Sequence, residues 1–250
     1  MKQKSYILTI AGLDPSNGAG LTADIKTFQA HDLYGLSVCT AVTIQNDIAF
    51  KDCLWIEEET IIGQIDILFE RFSIDVVKIG IIKSWSLLLI VIKRLRKINP
   101  EIKIILDPVL KASTGFNFHE KQNMAVLEEV LNECYFITPN YDEIQALFPN
   151  KTIEETIGFI AQRTNIYLKG GHRVKEKGCD EIYYSKLVKL KILPIAEKVS
   201  EKHGSGCVLS SALASNFQKG MSLEDACKNA KAYTERFLNS NETLLGTHNI

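Results

Sequence analysis

No C-x-x-C pair occurs among the six cysteines, Cys39, Cys53, Cys134, Cys179, Cys207 and Cys227, which lie scattered along 250 residues. Neither a zinc ligand set nor a secreted disulfide framework follows from them, so a reducing, cytoplasmic setting is expected. Charge of one sign is lacking too. A formal net charge of −1 gives no electrostatic reason to expect nucleic acid or an anionic membrane as a partner. The apolar run 87–92 is far too short to span a bilayer and runs straight into Lys93-Arg94. Lys2 and Lys4 precede a second run at 6–13. That run leads into Asp14-Pro15-Ser16-Asn17-Gly18 without a convincing small-residue cleavage site, and it reads as a strand rather than a signal peptide. No G-x-x-x-x-G-K-[ST] motif, repeat, low-complexity segment or linker is present.

What is there describes an ordinary soluble globule, 46% hydrophobic and 24% charged. One large core over 1–250 is expected, with a polar, loosely held tail from about 239. Strand-like runs at 5–11, 36–44, 76–79, 102–106, 135–137 and 166–168 alternate with helical periodicity at 21–33, 57–72, 85–97, 121–131, 142–148 and 153–163. Two β-like runs between 180 and 193 suggest a hairpin, and helices over 207–218 and 222–238 close the pattern. Such alternation predicts an α/β fold, a mostly parallel central sheet covered by helices on both faces. Ligands then bind beyond the carboxyl ends of the strands. Asp14, Gln45, Asp107, Asn140, Lys169 and Gly170 all fall there.

The segment Lys202-His203-Gly204-Ser205-Gly206-Cys207 turns helical at once. Glycines at a helix start let an anion approach the unpaired N–H groups. A thiol at that end is expected to have its pKa lowered. The same residues also describe a Gly-rich loop capping a core helix with a buried cysteine. Gly18-Ala19-Gly20-Leu21-Thr22-Ala23 fits G-x-G-x-x-A, but 13–17 separate it from the strand, which weakens a dinucleotide-binding reading. Lys169-Gly170-Gly171 would offer a point charge for phosphoryl transfer. Asn140 and Glu143 lie three apart where a helix begins. They suit a Mg²⁺ ion held through waters or, locally favoured, an N-cap completed by a capping box.

Thr9-Ile10-Ala11-Gly12-Leu13-Asp14-Pro15-Ser16-Asn17-Gly18-Ala19-Gly20 and 23–28 resemble the opening of the hydroxymethylpyrimidine (phosphate) kinases of thiamin biosynthesis. The register continues through Ala41-Val42-Thr43-Ile44-Gln45-Asn46, Lys78-Ile79-Gly80, Asp107-Pro108-Val109, Thr138-Pro139-Asn140, Lys169-Gly170-Gly171-His172 and His203-Gly204-Ser205-Gly206-Cys207. The resemblance implies a ribokinase-like fold, and ATP with Mg²⁺ as the phosphoryl donor. It further implies stepwise phosphorylation of 4-amino-5-hydroxymethyl-2-methylpyrimidine to the diphosphate, in a cytoplasmic homodimer.

By position it implies Gly12, Ala19, Asp24, Thr43 and Gln45 around the pyrimidine. Asn140, Lys169, Gly171 and Lys202 fall on the ATP side, and Gly204, Ser205 and Gly206 form the anion hole. Cys207 is implied as the base, and Glu143 with Asp107 (through water) as metal residues; this context reverses the local preference for a simple cap. Three departures stand out: Ser113 replaces a lysine, with Lys111 two residues earlier; Lys202 replaces a threonine; and the stretch 171–200 is short. A pyridoxal/pyridoxine kinase is the rival within the class. A non-catalytic pyrimidine-binding protein is the rival outside it.

Overall fold

The computed structural model describes residues 5–110, 124–171, 173, 176–185 and 188–249. Its strands are β1 (Tyr6–Leu13), β2 (Tyr34–Gln45), β3 (Phe50–Trp55), β4 (Val76–Ile79), β5 (Lys103–Leu106), β6 (Phe136–Ile137), β7 (Asn165–Leu168), β8 (Asp180–Tyr184) and β9 (Val188–Ile192). The helices are α1 (Gly20–Ala30), α2 (Glu58–Phe69), α3 (Trp85–Ile98), α4 (Met124–Glu133), α5 (Tyr141–Leu147), α6 (Ile153–Ala161), α7 (Ser205–Gln218) and α8 (Leu223–Leu238).

Among the described residues the strands form one sheet in the order β3-β2-β1-β4-β5-β6-β7-β8-β9. The six strands from β2 to β7 in that order pair in parallel. Antiparallel pairs β2–β3 and β7–β8–β9 finish the two edges. Alternating side chains explain why both faces are covered. Leu8, Val77, Ile104, Ile137 and Ile166 point into a core closed by α2 to α6. Ile7, Val76, Ile105, Phe136 and Tyr167 point the other way, into a core closed by α7 and α8, with Phe28 of α1. Each such aliphatic side chain contributes about 1.5–3 kcal/mol when fully buried. Because the central strands run together, the ends of β1, β2, β4, β5, β6 and β7 share one rim.

The sequence-based elements hold within a few residues, with four differences. Strand β3 falls in a stretch, 46–56, that the pattern left unassigned. None of its side chains is fully buried, so no strong alternation marks it. Helix α7 begins at Ser205, two residues before its expected start at Cys207. The helix read from 121 starts outside the described residues, as do Lys111, Ser113 and His172.

The fourth difference is the tail, which is not loosely held. The His203 N–H donates to the Leu244 carbonyl (2.9 Å), the Lys202 ammonium to the Asn241 carbonyl (2.7 Å), and the Tyr233 hydroxyl meets His248 Nδ1 (2.9 Å). Gly246 lies so close to the Phe237 ring that a Cβ there would sit 2.5 Å from it. Polar composition at the chain's end concealed these specific contacts.

Candidate active site

The rim surrounds a cavity of about 1530 Å³. That exceeds the ~300–1,000 Å³ usual for one small ligand and leaves room for two. Gly12, Ala19, Thr43 and Gln45 line it together with Asn140, Glu143, Asp107, Lys169, Gly171 and the whole of 202–207. Thus, Asp24 apart, the residues expected on the pyrimidine side and on the ATP side face one shared space.

At the head of α7, Gly204 takes φ +75°, a conformation that disfavours any side chain. The first helical bond is Val208 N–H to the Gly204 carbonyl (3.0 Å). The Gly206 and Cys207 N–H groups precede it, at the positive end of the helix dipole. A Cβ on Gly206 would come within 3.3 Å of Lys169 Nζ and 3.8 Å of Asp107 Oδ2. The glycine therefore leaves open the space between the helix terminus and the lysine.

Lys169 sits between two carboxylates, 3.0 Å from Asp107 and 3.5 Å from Glu143. Burial works against its charge, but the two acids outweigh it and hold the ammonium well above the ordinary lysine range. Burial would also raise Asp107, yet Lys169 and Lys78 bring its carboxyl below the usual value. Glu143 goes the other way: burial, aided by repulsion from Asp107, pushes it up against the pull of Lys169.

The capping box that the local pattern favoured is present. Asn140 Oδ1 accepts the Glu143 N–H (2.8 Å) and Glu143 Oε2 accepts the Asn140 N–H (2.7 Å). The same carboxylate thus caps α5 and faces Lys169. Among the described residues no three His, Cys, Asp or Glu side chains gather into a metal-binding set. Glu143, still pushed up by burial and by Asp107 although Lys169 stands between the two acids, nonetheless fits Mg²⁺ together with Asp107, since that ion takes one or two carboxylates and completes its shell with water and phosphate oxygens.

Cys207 is partly open to the cavity. The expected lowering of its thiol pKa is overturned: burial pushes it up to about 11, with Asp24 and Asp107 raising it and Lys78 and the Gly20 N–H opposing. The helix terminus does not compensate for lost hydration and two nearby acids.

Asp24 also departs from expectation. It is fully buried behind the cavity wall and does not line it. Its oxygens accept from Lys78 (2.8 and 3.0 Å), Thr9 (2.6 Å) and Ser211 (2.7 Å). Lys78 is equally buried; burial would lower it, but Asp24 first, then Cys207 and Asp107, hold it well above the ordinary range. Sequence reasoning gave Lys78 no role. The signal was a lysine inside the otherwise apolar strand Val76-Val77-Lys78-Ile79, where both faces are covered and a charge must have a partner.

Lys202 lines the cavity wall, but its ammonium is engaged by the Asn241 carbonyl rather than held toward a nucleotide. Thr43 donates its hydroxyl to the Leu13 carbonyl (2.8 Å) and so faces a ligand only as an acceptor. Across the cavity, Glu235 of α8 accepts the N–H groups of Ile195 and Ala196 (2.8 and 2.7 Å), and Lys231 bridges it to Asp180. These contacts fix the wall that follows β9, and the sequence pattern offered no sign of them.

Residues 14–249 match the phosphomethylpyrimidine kinase family. The chain is 33% identical over 227 residues to the bifunctional thiamine biosynthesis protein ThiDN of Methanocaldococcus jannaschii, matching 91% of this chain. It spans about half the length of that relative (51%). The crystal structure of phosphomethylpyrimidine kinase from Clostridium difficile superposes with a TM-score of 0.77 at 30% identity, over 92% of this chain and 98% of that one. The pyridoxal kinase of Staphylococcus aureus in complex with ADP shares the fold, with a TM-score of 0.80 at 22% identity over 95% and 89% of the two chains.

Proposed function

Because the chain belongs to the phosphomethylpyrimidine kinase family, we propose that it transfers the terminal phosphoryl group of ATP to 4-amino-5-hydroxymethyl-2-methylpyrimidine and then to the resulting monophosphate, in thiamin biosynthesis. The observation that carries this reading is the single cavity bounded at once by Thr43 and Gln45 and by Lys169 and the Gly204–Gly206 turn. A glutamine amide both donates and accepts, which matches an aminopyrimidine edge. Gly12 and Ala19 complete that end of the pocket.

At the other end Asn140, Lys169 and Gly171 meet the phosphates of ATP. The N–H groups of Gly206 and Cys207, on the turn formed with Gly204 and Ser205, receive charge on the transferring oxygens. Cys207 removes the proton of the attacking alcohol. Glu143 and, through water, Asp107 would hold Mg²⁺, which when bound would neutralise charge on the phosphate oxygens. Asp24 acts from behind the wall, and Lys202, in the wall itself, has its ammonium turned to the Asn241 carbonyl rather than to a ligand.

Six free cysteines support a reducing compartment, the cytosol. No helix among the described residues is long and apolar enough to cross a membrane. Exposed Ile44 (57%) and Leu54 (69%) on the β2–β3 hairpin support a homodimer.

The deciding experiment measures ADP release with hydroxymethylpyrimidine, its monophosphate and pyridoxal, each with Mg²⁺. Turnover of both pyrimidines is expected. Turnover of pyridoxal alone would replace this reading with a pyridoxal kinase, and tight pyrimidine binding without ADP release would make the chain a binding protein.

Glu143→Gln isolates the metal role, since glutamine keeps the reach-back bond of a capping box while losing the charge. The Mg²⁺ concentration for half-maximal rate should rise on the order of 10-fold or more. An unaltered Mg²⁺ titration removes Glu143 from the metal shell.

A further inference from the structure

Two glycine-rich turns, far apart in the chain, touch at the cavity. One is the loop from β1 into α1, and the other is the turn into α7. A Cβ on Gly204 would lie 2.0 Å from the Gly18 carbonyl oxygen, and one on Gly18 would lie 2.5 Å from the His203 ring. The turns are therefore in direct van der Waals contact.

One hydrogen-bonded carboxylate joins them. Asp14 is 1% exposed. Its Oδ1 accepts from the Ser16 N–H and hydroxyl, both at 2.8 Å. Its Oδ2 accepts from the N–H groups of Gly18 (3.1 Å) and Ala19 (2.8 Å) and from the Ser16 hydroxyl (2.9 Å). His203 Nε2 approaches the same Oδ2 at 2.9 Å. A carboxylate only accepts, so Nε2 carries the proton in that contact. Behind His203 stands the C-terminal segment, through the Leu244 carbonyl, and the Leu245 side chain packs at Gly18. Neither Asp14 nor His203 has a role in the phosphoryl transfer derived above.

We propose that Asp14 and His203 form a clasp that registers the pyrimidine-side loop against the anion turn, setting Cys207 and the Gly206 N–H relative to the substrate alcohol. Both are positioning residues. Gly20, the first residue of α1 directly after the clasped loop, lines the cavity with Cys207, and its backbone acts on the sulfur by opposing the rise of the thiol, so the loop's position bears on the sulfur. Displacing reacting groups by about an ångström costs on the order of 10²-fold in rate. The clasp therefore acts on kcat more than on affinity.

The inference rests on the proposed kinase activity, and its test separates the two. His203→Ala, His203→Gln and Asp14→Asn are compared with the unaltered chain for kcat, for KM toward ATP and hydroxymethylpyrimidine, and for the rate at which iodoacetamide alkylates Cys207 without substrate. The expected results are a kcat loss of about 10²-fold in His203→Ala, KM values within about threefold, and most of the rate restored in His203→Gln, whose amide N–H replaces Nε2. Cys207 alkylation should accelerate in His203→Ala and return toward normal in His203→Gln. Unaltered chain that releases no ADP defeats the kinase reading, while alkylation still reports on the clasp. Unchanged kcat and alkylation in His203→Ala would overturn the clasp. So would equal losses in kcat, affinity and urea midpoint that His203→Gln does not repair. Should His203→Ala fail to fold, the His203→Gln and Asp14→Asn pair decides: additive effects in their double variant overturn the coupling.

Discussion

Replacing Cys207 by alanine is expected to lower kcat by about 10²–10⁴-fold, the range for loss of a general base, while KM for the pyrimidine stays within a few-fold. The pH profile carries a second expectation. With the thiol pushed up to about 11, the thiolate is scarce at neutral pH and grows tenfold per pH unit below that value. Wild-type kcat should therefore climb with pH through the neutral and mildly alkaline range, and the alanine variant should lose that slope. Steady-state kinetics from pH 6 to 10 settles both points. Equal losses in kcat and affinity, or a slope retained without the sulfur, would leave Cys207 as a piece of wall.

The second large effect concerns stability. Lys78 and Asp24 are both fully excluded from solvent and 2.8 Å apart. Removing one partner of such a pair typically costs about 3–5 kcal/mol, because the other charge is left buried and unpaired. Lys78→Met is expected to lose that amount in urea unfolding, a large part of the roughly 5–15 kcal/mol that holds a domain together. The double variant Asp24→Leu/Lys78→Met should recover at least half of the loss, since neither charge remains. A double variant as unstable as the single one would place the cost in packing instead. The same lysine opposes the forces that raise the Cys207 thiol, so in any folded Lys78→Met chain the alkaline limb of the rate profile should move to still higher pH.

How much of this could be read from the letters differs by kind of interaction. Short apolar runs located β4 without error, because burial on two faces of a parallel sheet imposes them, and the 3.6-residue period placed most helices within a residue or two. Strand-end polar residues led to the cavity, since Gln45, Asp107, Asn140 and Lys169 all line it. Local chemistry was harder to weigh. Asn140 and Glu143 fitted both a cap and a metal role, and the same two side chains make the cap while facing Lys169.

The pattern failed where partners are distant in sequence. Asp24 stands on the buried face of α1, and the opposite charge that pairs with it comes from Lys78, on a strand 54 residues away. The tail looked free because two of its anchors are backbone carbonyls, of 241 and 244, which no side-chain pattern encodes, and the third pairs His248 with a tyrosine in another element. Cys207 was misjudged because a helix terminus is visible in sequence and the desolvation around it is not.

The contact between Asp14 and His203 closes a span of 189 residues. Local helices and neighbouring strands need no such closure, whereas contacts this remote form late and slowly. In refolding from urea, far-ultraviolet ellipticity should therefore return before catalytic competence, leaving a lag in which the sheet exists and the enzyme does not. A nascent chain still on the ribosome faces the same order of events: until both turns have been made and have met, the proposed transfer site is not fully assembled.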